Sequence, residues 1–255
     1  MGKVDELDAA LHPDANIEIQ DKNQTELQHS PVPDMEPQQK RRKDVAECTA
    51  DQTDVEMHKH SDVDAPHSDD RLSLLTGDWL TDRLIDSVNT IVNQHIGVSQ
   101  CQSVTVSQTS TGFVPVDDET IMILYDKDRS HRITTACIDG QVMYLDSLHG
   151  SLSRDVKKQM RQLYAKVKSN DHEIVVRVVS CQRQHNSSDC GVYAAAFAFE
   201  LAVNGYDGIN LVAAYDTRAM RAHLLTCLTN GQVQTFPKLS ATKRTRRAYF
   251  SCVSI

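Results

Sequence analysis

The chain has one tryptophan, only ten glycines in 255 residues, and no CxxC pair among its seven cysteines. Without paired CxxC spacing there is no zinc-ribbon or thioredoxin-type pattern. An odd number of scattered cysteines (48, 101, 137, 181, 190, 227 and 252) suits reduced thiols, most of them acting as small buried hydrophobes. No metal and no cofactor is expected. The longest apolar run, Val192 to Val203, is interrupted by Glu200 and falls short of the ~20 residues a bilayer requires, so no membrane partner is expected. The opening MGKVDELDAA has no apolar signal core and places Glu6 where a myristoylation motif calls for Ser or Thr. Nucleus and/or cytoplasm is the expected location.

Aromatic residues are absent from positions 1–70, which carry five of the seven prolines and 18 of the 35 acidic residues against 7 of the 27 basic ones. Such a segment cannot bury enough apolar surface to offset its ordering entropy, so residues 1–70 read as a disordered acidic tail. The net charge of −8 belongs to this tail. What remains is close to neutral, which argues against a nucleic-acid partner. A folded domain over 71–238 and a basic extension over 239–255 complete the division. The basic runs Lys40–Lys43 and Lys243–Arg247 have the composition of import signals, although such runs are commonly just solvated. Cys252-Val253-Ser254-Ile255 has the outline of a prenylation box, but a strand "AYFSCV" is the simpler account.

Order is expected from about Leu72. Leu80, Leu84, Ile85, Val88, Ile91 and Val92 recur at helical spacing, with Thr76 or Asp78 as cap. "SVTVSQ" (103–108) and "TIMILYD" (120–126) read as strands. "HRITTACIDGQVMYLDSLHG" reads as a hairpin turning at Asp139-Gly140, the dipeptide of a type I′ turn. A one-faced helix follows through Val156, Met160, Leu163, Tyr164 and Val167, capped by Ser151 or Ser153, then a strand "HEIVVRVVSC" buried on both sides. An apolar helix opens at Cys190 and runs to about Asn204 with Gly205 as C-cap, and a last helix starts from Asp216. The class is α+β.

Cys190 stands where a polar, turn-forming stretch, "QRQHNSSD", meets the apolar helix. The usual role for such a cysteine is packing. At the first turn of a helix, however, free N–H groups and partial positive charge favour a thiolate, Gly191 allows close backbone approach, and Gln184 offers an amide donor for an oxyanion. A thiolate nucleophile needs an imidazole, and the imidazole an orienting group. Antiparallel pairing around Asp139-Gly140 puts His131 and Asp146 at the same open end of the hairpin. A relay of Cys190, His131 and Asp146 follows.

This order of residues, with Asp in "DSL", Gln six positions before Cys, and the context "N-x-x-D-C-G", resembles the ubiquitin-like-protein protease family, the Ulp-type or SENP-type SUMO proteases. "WLTDRLI" (Trp79 to Ile85) is similar to that family's "WL-x-D-x-x-I". The resemblance runs from about Leu72 to about Pro237. It implies a papain-like α+β cysteine protease fold in which the nucleophile heads a central helix packed on a mixed sheet. By the same resemblance Cys190 is the nucleophile, His131 the general base, Asp146 its orienting carboxylate and Gln184 the oxyanion donor. Trp79 covers a channel for a Gly-Gly tail, since only glycine passes beneath an indole without a side-chain clash. The implied function is cleavage of ubiquitin-like modifiers, SUMO or a relative, by a monomeric enzyme. The family usually has an aromatic residue after the histidine; this chain has Arg132. The end of the domain, Ala219 to Pro237, looks like a branch of invertebrate Ulp-like proteins, some associated with mobile elements.

Two functional classes compete with hydrolysis: a silent modifier-binding module, and an acyltransferase using the same relay. Among side chains, His185 is a rival base but lies only five residues from Cys190 across a turn. His149 reads as a loop histidine, Asp189 as a helix cap or ion-pair partner, and Asn186 as a residue that orients the loop carrying Gln184.

Overall fold

A computed structural model describes residues 66–98, 101–116, 119–167, 173–205, 214–240 and 250–255. The tail reading, up to residue 65, and both basic runs lie outside the described residues. The helices are α1 (Ser68–Thr76), α2 (Asp82–His95), α3 (Arg154–Leu163), α4 (Cys190–Asn204) and α5 (Met220–Asn230). The strands are β1 (Thr120–Asp126), β2 (His131–Ile138), β3 (Gln141–Leu145), β4 (Val175–Val179) and β5 (Phe250–Ser254). They form one sheet in the order β1-β2-β3-β4-β5, antiparallel throughout except for the parallel β3–β4 pair. The chain is α+β, with the cysteine-headed helix packed on a mixed sheet.

Alternation along the strands gives the sheet two cores. Ile121, Ile123, Ala136, Ile138, Met143 and Leu145 face α2, α4 and α5. Met122, Leu124, Ile133, Cys137, Val142 and Tyr144 face α3 through Val156, Met160 and Leu163. Helix α4 is buried almost all round, as its unbroken apolar sequence requires, and Thr134 of β2 donates to the Ala194 carbonyl at 2.7 Å. The one acidic residue within the run, Glu200, is buried and ion-paired with Lys238.

Among the described residues no further strand pairs with the outer edge of β1. Asn89 and Asn93, one turn apart on α2, take its place. Asn89 accepts from the Ile123 N–H and donates to its carbonyl, and Asn93 does the same at Ile121. Two carboxamides thus satisfy an edge that would otherwise present unpaired backbone.

The hairpin turns as the sequence predicts: Ile138 pairs with Gln141, and both Asp139 (φ 50°) and Gly140 (φ 71°) have positive φ. Elsewhere local pattern misleads. Residues 104–108 form a 3₁₀ turn rather than a strand, because Asp86 of α2 accepts from Ser103 Oγ and the Val104 N–H and curls the segment around its carboxylate. Helix α2 is capped by Thr81, not Thr76 or Asp78. Thr81 also donates to Asp70, a buried carboxylate paired with Arg83, and this tie accounts for α1 starting at Ser68, ahead of Leu72. Ser153 caps α3 and donates to the buried Asp126. Strand β4 is not buried on both sides: Val175 is half exposed and Arg177 lies over the Phe250 ring. The last helix begins at Met220; Asp216 heads the preceding turn. Strand β5 extends the sheet beyond residue 238.

Candidate active site

Helix α4 starts at Cys190 because the residues before it form a self-bonded turn: Asn186 Oδ1 accepts from the Ser188 and Asp189 N–H groups. Asp189 occupies the cap position without bonding a helix N–H. Its carboxylate instead pairs with Arg221 at 2.6 Å and accepts from Asn186. Gly191 keeps the helix start thin: a Cβ there would lie 3.1 Å from Leu80, next to Trp79. Cys190 itself is 5% exposed.

The hairpin supplies the remaining groups. His131 opens β2 and Asp146 follows β3, so the pairing register places them at the same end. His131 Nε2 lies 2.7 Å from Asp146 Oδ1, and the imidazole also interacts with the Cys190 thiol. Asp146 is further held by the Leu148 and Gly150 N–H groups, Arg129 Nη1 at 2.8 Å and the Tyr144 hydroxyl. Arg129 spans Asp146 and Asp126 and donates to Tyr144 as well. Gly150 lies so close to this guanidinium that a Cβ would clash with Nη1.

Burial alone would neutralise all three groups; the contacts reverse that. Desolvation opposes ionisation of Asp146, yet the hydrogen bonds from His131, Leu148 and Arg129 hold its carboxyl well below the usual range. Burial disfavours the imidazolium, but bonds and charge from Asp146 and Cys190 raise His131 to about 9. Burial also pushes the Cys190 thiol up, and the His131 hydrogen bond, backbone N–H groups of Arg132 and Gly191 and the imidazolium charge bring it below its ordinary value. Burial raises the thiols of Cys101, Cys137, Cys181 and Cys227, the first three with help from a nearby carboxylate. Cys190 moves in the opposite direction. The arrangement favours a thiolate–imidazolium pair steadied by a carboxylate.

Cys190 opens onto a groove of about 880 Å³ whose walls include Trp79, Leu80, Ser107, Tyr125, Arg132 and Lys158. Trp79 is half exposed. Gln184 is buried and fixed to the segment after Asp146: its N–H donates to the Ser147 carbonyl, its Oε1 accepts from Ser147 Oγ, and its Nε2 donates to the Asn186 carbonyl at 2.6 Å. One Nε2 hydrogen is left for another acceptor. His185 is exposed, while the imidazole bonded to Cys190 is that of His131. His149 bonds to the Cys181 carbonyl. Among the described residues no cluster of His, Cys, Asp and Glu could hold a metal ion. Sequence reasoning misses Arg129, Ser147 and Arg221. Of these, only Arg129 carries a local signal, its position three residues after Asp126 and two before His131.

No protein-family model matches the chain, and no curated protein matches it in sequence. Solved structures do. The chain is similar to a de-sumoylating protease at 14% identity and TM-score 0.46, over 65% of this chain and 85% of that one. It is also similar to the C-terminal Ulp1 protease domain in complex with Smt3, the yeast ortholog of SUMO, at 15% identity and TM-score 0.41, over 65% and 83%. A third is the Chaetomium thermophilum Ulp1-like SUMO protease catalytic domain, at 20% identity and TM-score 0.38, over 61% and 74%.

Proposed function

We propose that the chain is a cysteine-type (iso)peptidase that cleaves ubiquitin-like modifiers after a C-terminal Gly-Gly. The observation that carries this reading is the hydrogen-bonded series Cys190–His131–Asp146, with a lowered thiol facing a groove beside Trp79. The Cys190 thiolate attacks the carbonyl of the last glycine and forms a C–S bond. The oxyanion is met by the remaining Nε2 hydrogen of Gln184 and by backbone N–H at the start of α4. The tetrahedral species collapses, the C–N bond breaks, and His131 passes its proton to the departing lysine amine. Water, deprotonated by His131, then cleaves the thioester and regenerates the thiol. The diglycine preference is supported by the motif "WLTDRLI" and by the position of Trp79 on the groove wall.

A modifier tail bearing a C-terminal electrophile should form an adduct that disappears in Cys190→Ala, and a fluorogenic Gly-Gly amide should be hydrolysed. Cys190→Ala and His131→Ala should each lower turnover by at least roughly a thousandfold, with His185→Ala keeping most of it. Binding of the modifier without an adduct would indicate a docking module instead. The reverse ranking of the two histidines would discard this mechanism.

A further inference from the structure

Arg132 follows His131 on β2 and lines the groove that holds Cys190 and Trp79. Its side chain is only 10% exposed, its guanidinium carbon lies 4.5 Å from the centre of the Tyr125 ring, and its Nη2 is paired with Asp82. Its Nη1 is buried with no hydrogen-bond partner. A guanidinium stays charged and presents its donors in a fixed fork, so it cannot escape this by losing a proton or rotating one N–H away. An unmade bond of this kind is costly inside a protein, and at the wall of a binding groove the missing acceptor can come from a ligand.

The surrounding charges specify the kind of acceptor. Lys127 and Lys158 line the same groove, together with Asp82 and Asp155. Both carboxylates are already engaged, Asp82 by Arg132 and Asp155 by the Lys127 N–H and Gln159 Nε2. The capacity left over is cationic. We propose that Arg132 is a specificity-determining residue that selects a carboxylate side chain in the substrate tail lying in the groove beside the scissile bond. This rests on the hydrolase reading above. Stacking on Tyr125 and pairing with Asp82 hold the guanidinium at the groove wall, and Nη1, closed to solvent in the free protein, gains its acceptor as the entering tail opens that wall. A carboxylate suits that position better than an amide of equal shape because the bond is charge-assisted on both sides.

The test uses the full chain and a set of peptide tails ending in Gly-Gly-aminomethylcoumarin, with Glu, Gln or Leu at each of the three positions before the diglycine. The wild-type protein should favour Glu over Gln at one of those positions by roughly tenfold in kcat/KM. Arg132→Gln should bring the two to parity. The Glu-to-Gln comparison on the wild-type protein is decisive by itself should the variant fold poorly. Equal rates for Glu and Gln at every position would overturn this inference while leaving the hydrolase reading in place. A tail electrophile measured in parallel separates the two: no adduct at Cys190 and no hydrolysis of any peptide would overturn both.

Discussion

Burial makes a thiol a weaker acid, and Cys101, Cys137, Cys181 and Cys227 obey that rule. Cys190 departs from it because a second residue, His131, gains by holding the complementary charge, and a third, Asp146, gains by holding His131. The pair titrates as a unit, so its pH limits belong to both partners. With His131 raised to about 9, the imidazolium persists below that pH and is lost above it, and kcat/KM should fall on the alkaline side near pH 9. Asp146→Asn removes the negative charge that favours the imidazolium and leaves the Arg129 cation nearby, and both changes act in the same direction. The alkaline limb should move down by roughly one unit or more, read from a pH–rate profile. An unmoved limb would assign that titration to another group.

Elements are where local pattern and tertiary structure part company. The Asp139-Gly140 turn and the run from Cys190 to Asn204 are legible because their signals are internal: two positive φ angles in one case, an unbroken apolar surface in the other. "SVTVSQ" has strand composition yet forms a 3₁₀ turn, since the group that decides its conformation is Asp86, 17 residues away from Ser103 in sequence. The edge of β1 is illegible for the same reason, as Asn89 pairs with Ile123 across 34 residues. Asn89→Leu would leave the Ile123 N–H and carbonyl buried and unpaired. It should cost about 1–3 kcal/mol in denaturant unfolding, against little effect for the exposed Gln94→Leu. Similar midpoints for the two variants would mean that the carboxamides are not guarding the edge.

At the scale of the whole molecule, the meeting of Cys190, His131 and Asp146 was legible in the sequence, whereas the tie between the segments that carry Trp79 and Cys190 was not. Arg221 of α5 bonds Asp189, the Ser188 carbonyl, the Asp78 carbonyl and the last turn of α1, joining the residue before Trp79 to the residue before Cys190. Nothing near Arg221 in sequence announces partners almost 150 positions away. Trp79 is the only tryptophan in the chain, so its fluorescence reports on the groove alone. Arg221→Ala should lower Trp79 anisotropy while far-UV circular dichroism stays unchanged; unaltered anisotropy would remove Arg221 from any positioning role. The seating of α4 against β2, through Thr134 and Ala194, has a consequence for the life history of the chain. Until that helix docks, Cys190 is an ordinary, sluggish sulfhydryl. The lowered thiol is therefore a property of the completed tertiary structure, absent from the extended polypeptide, where Cys190 and His131 are separated by 59 positions of chain.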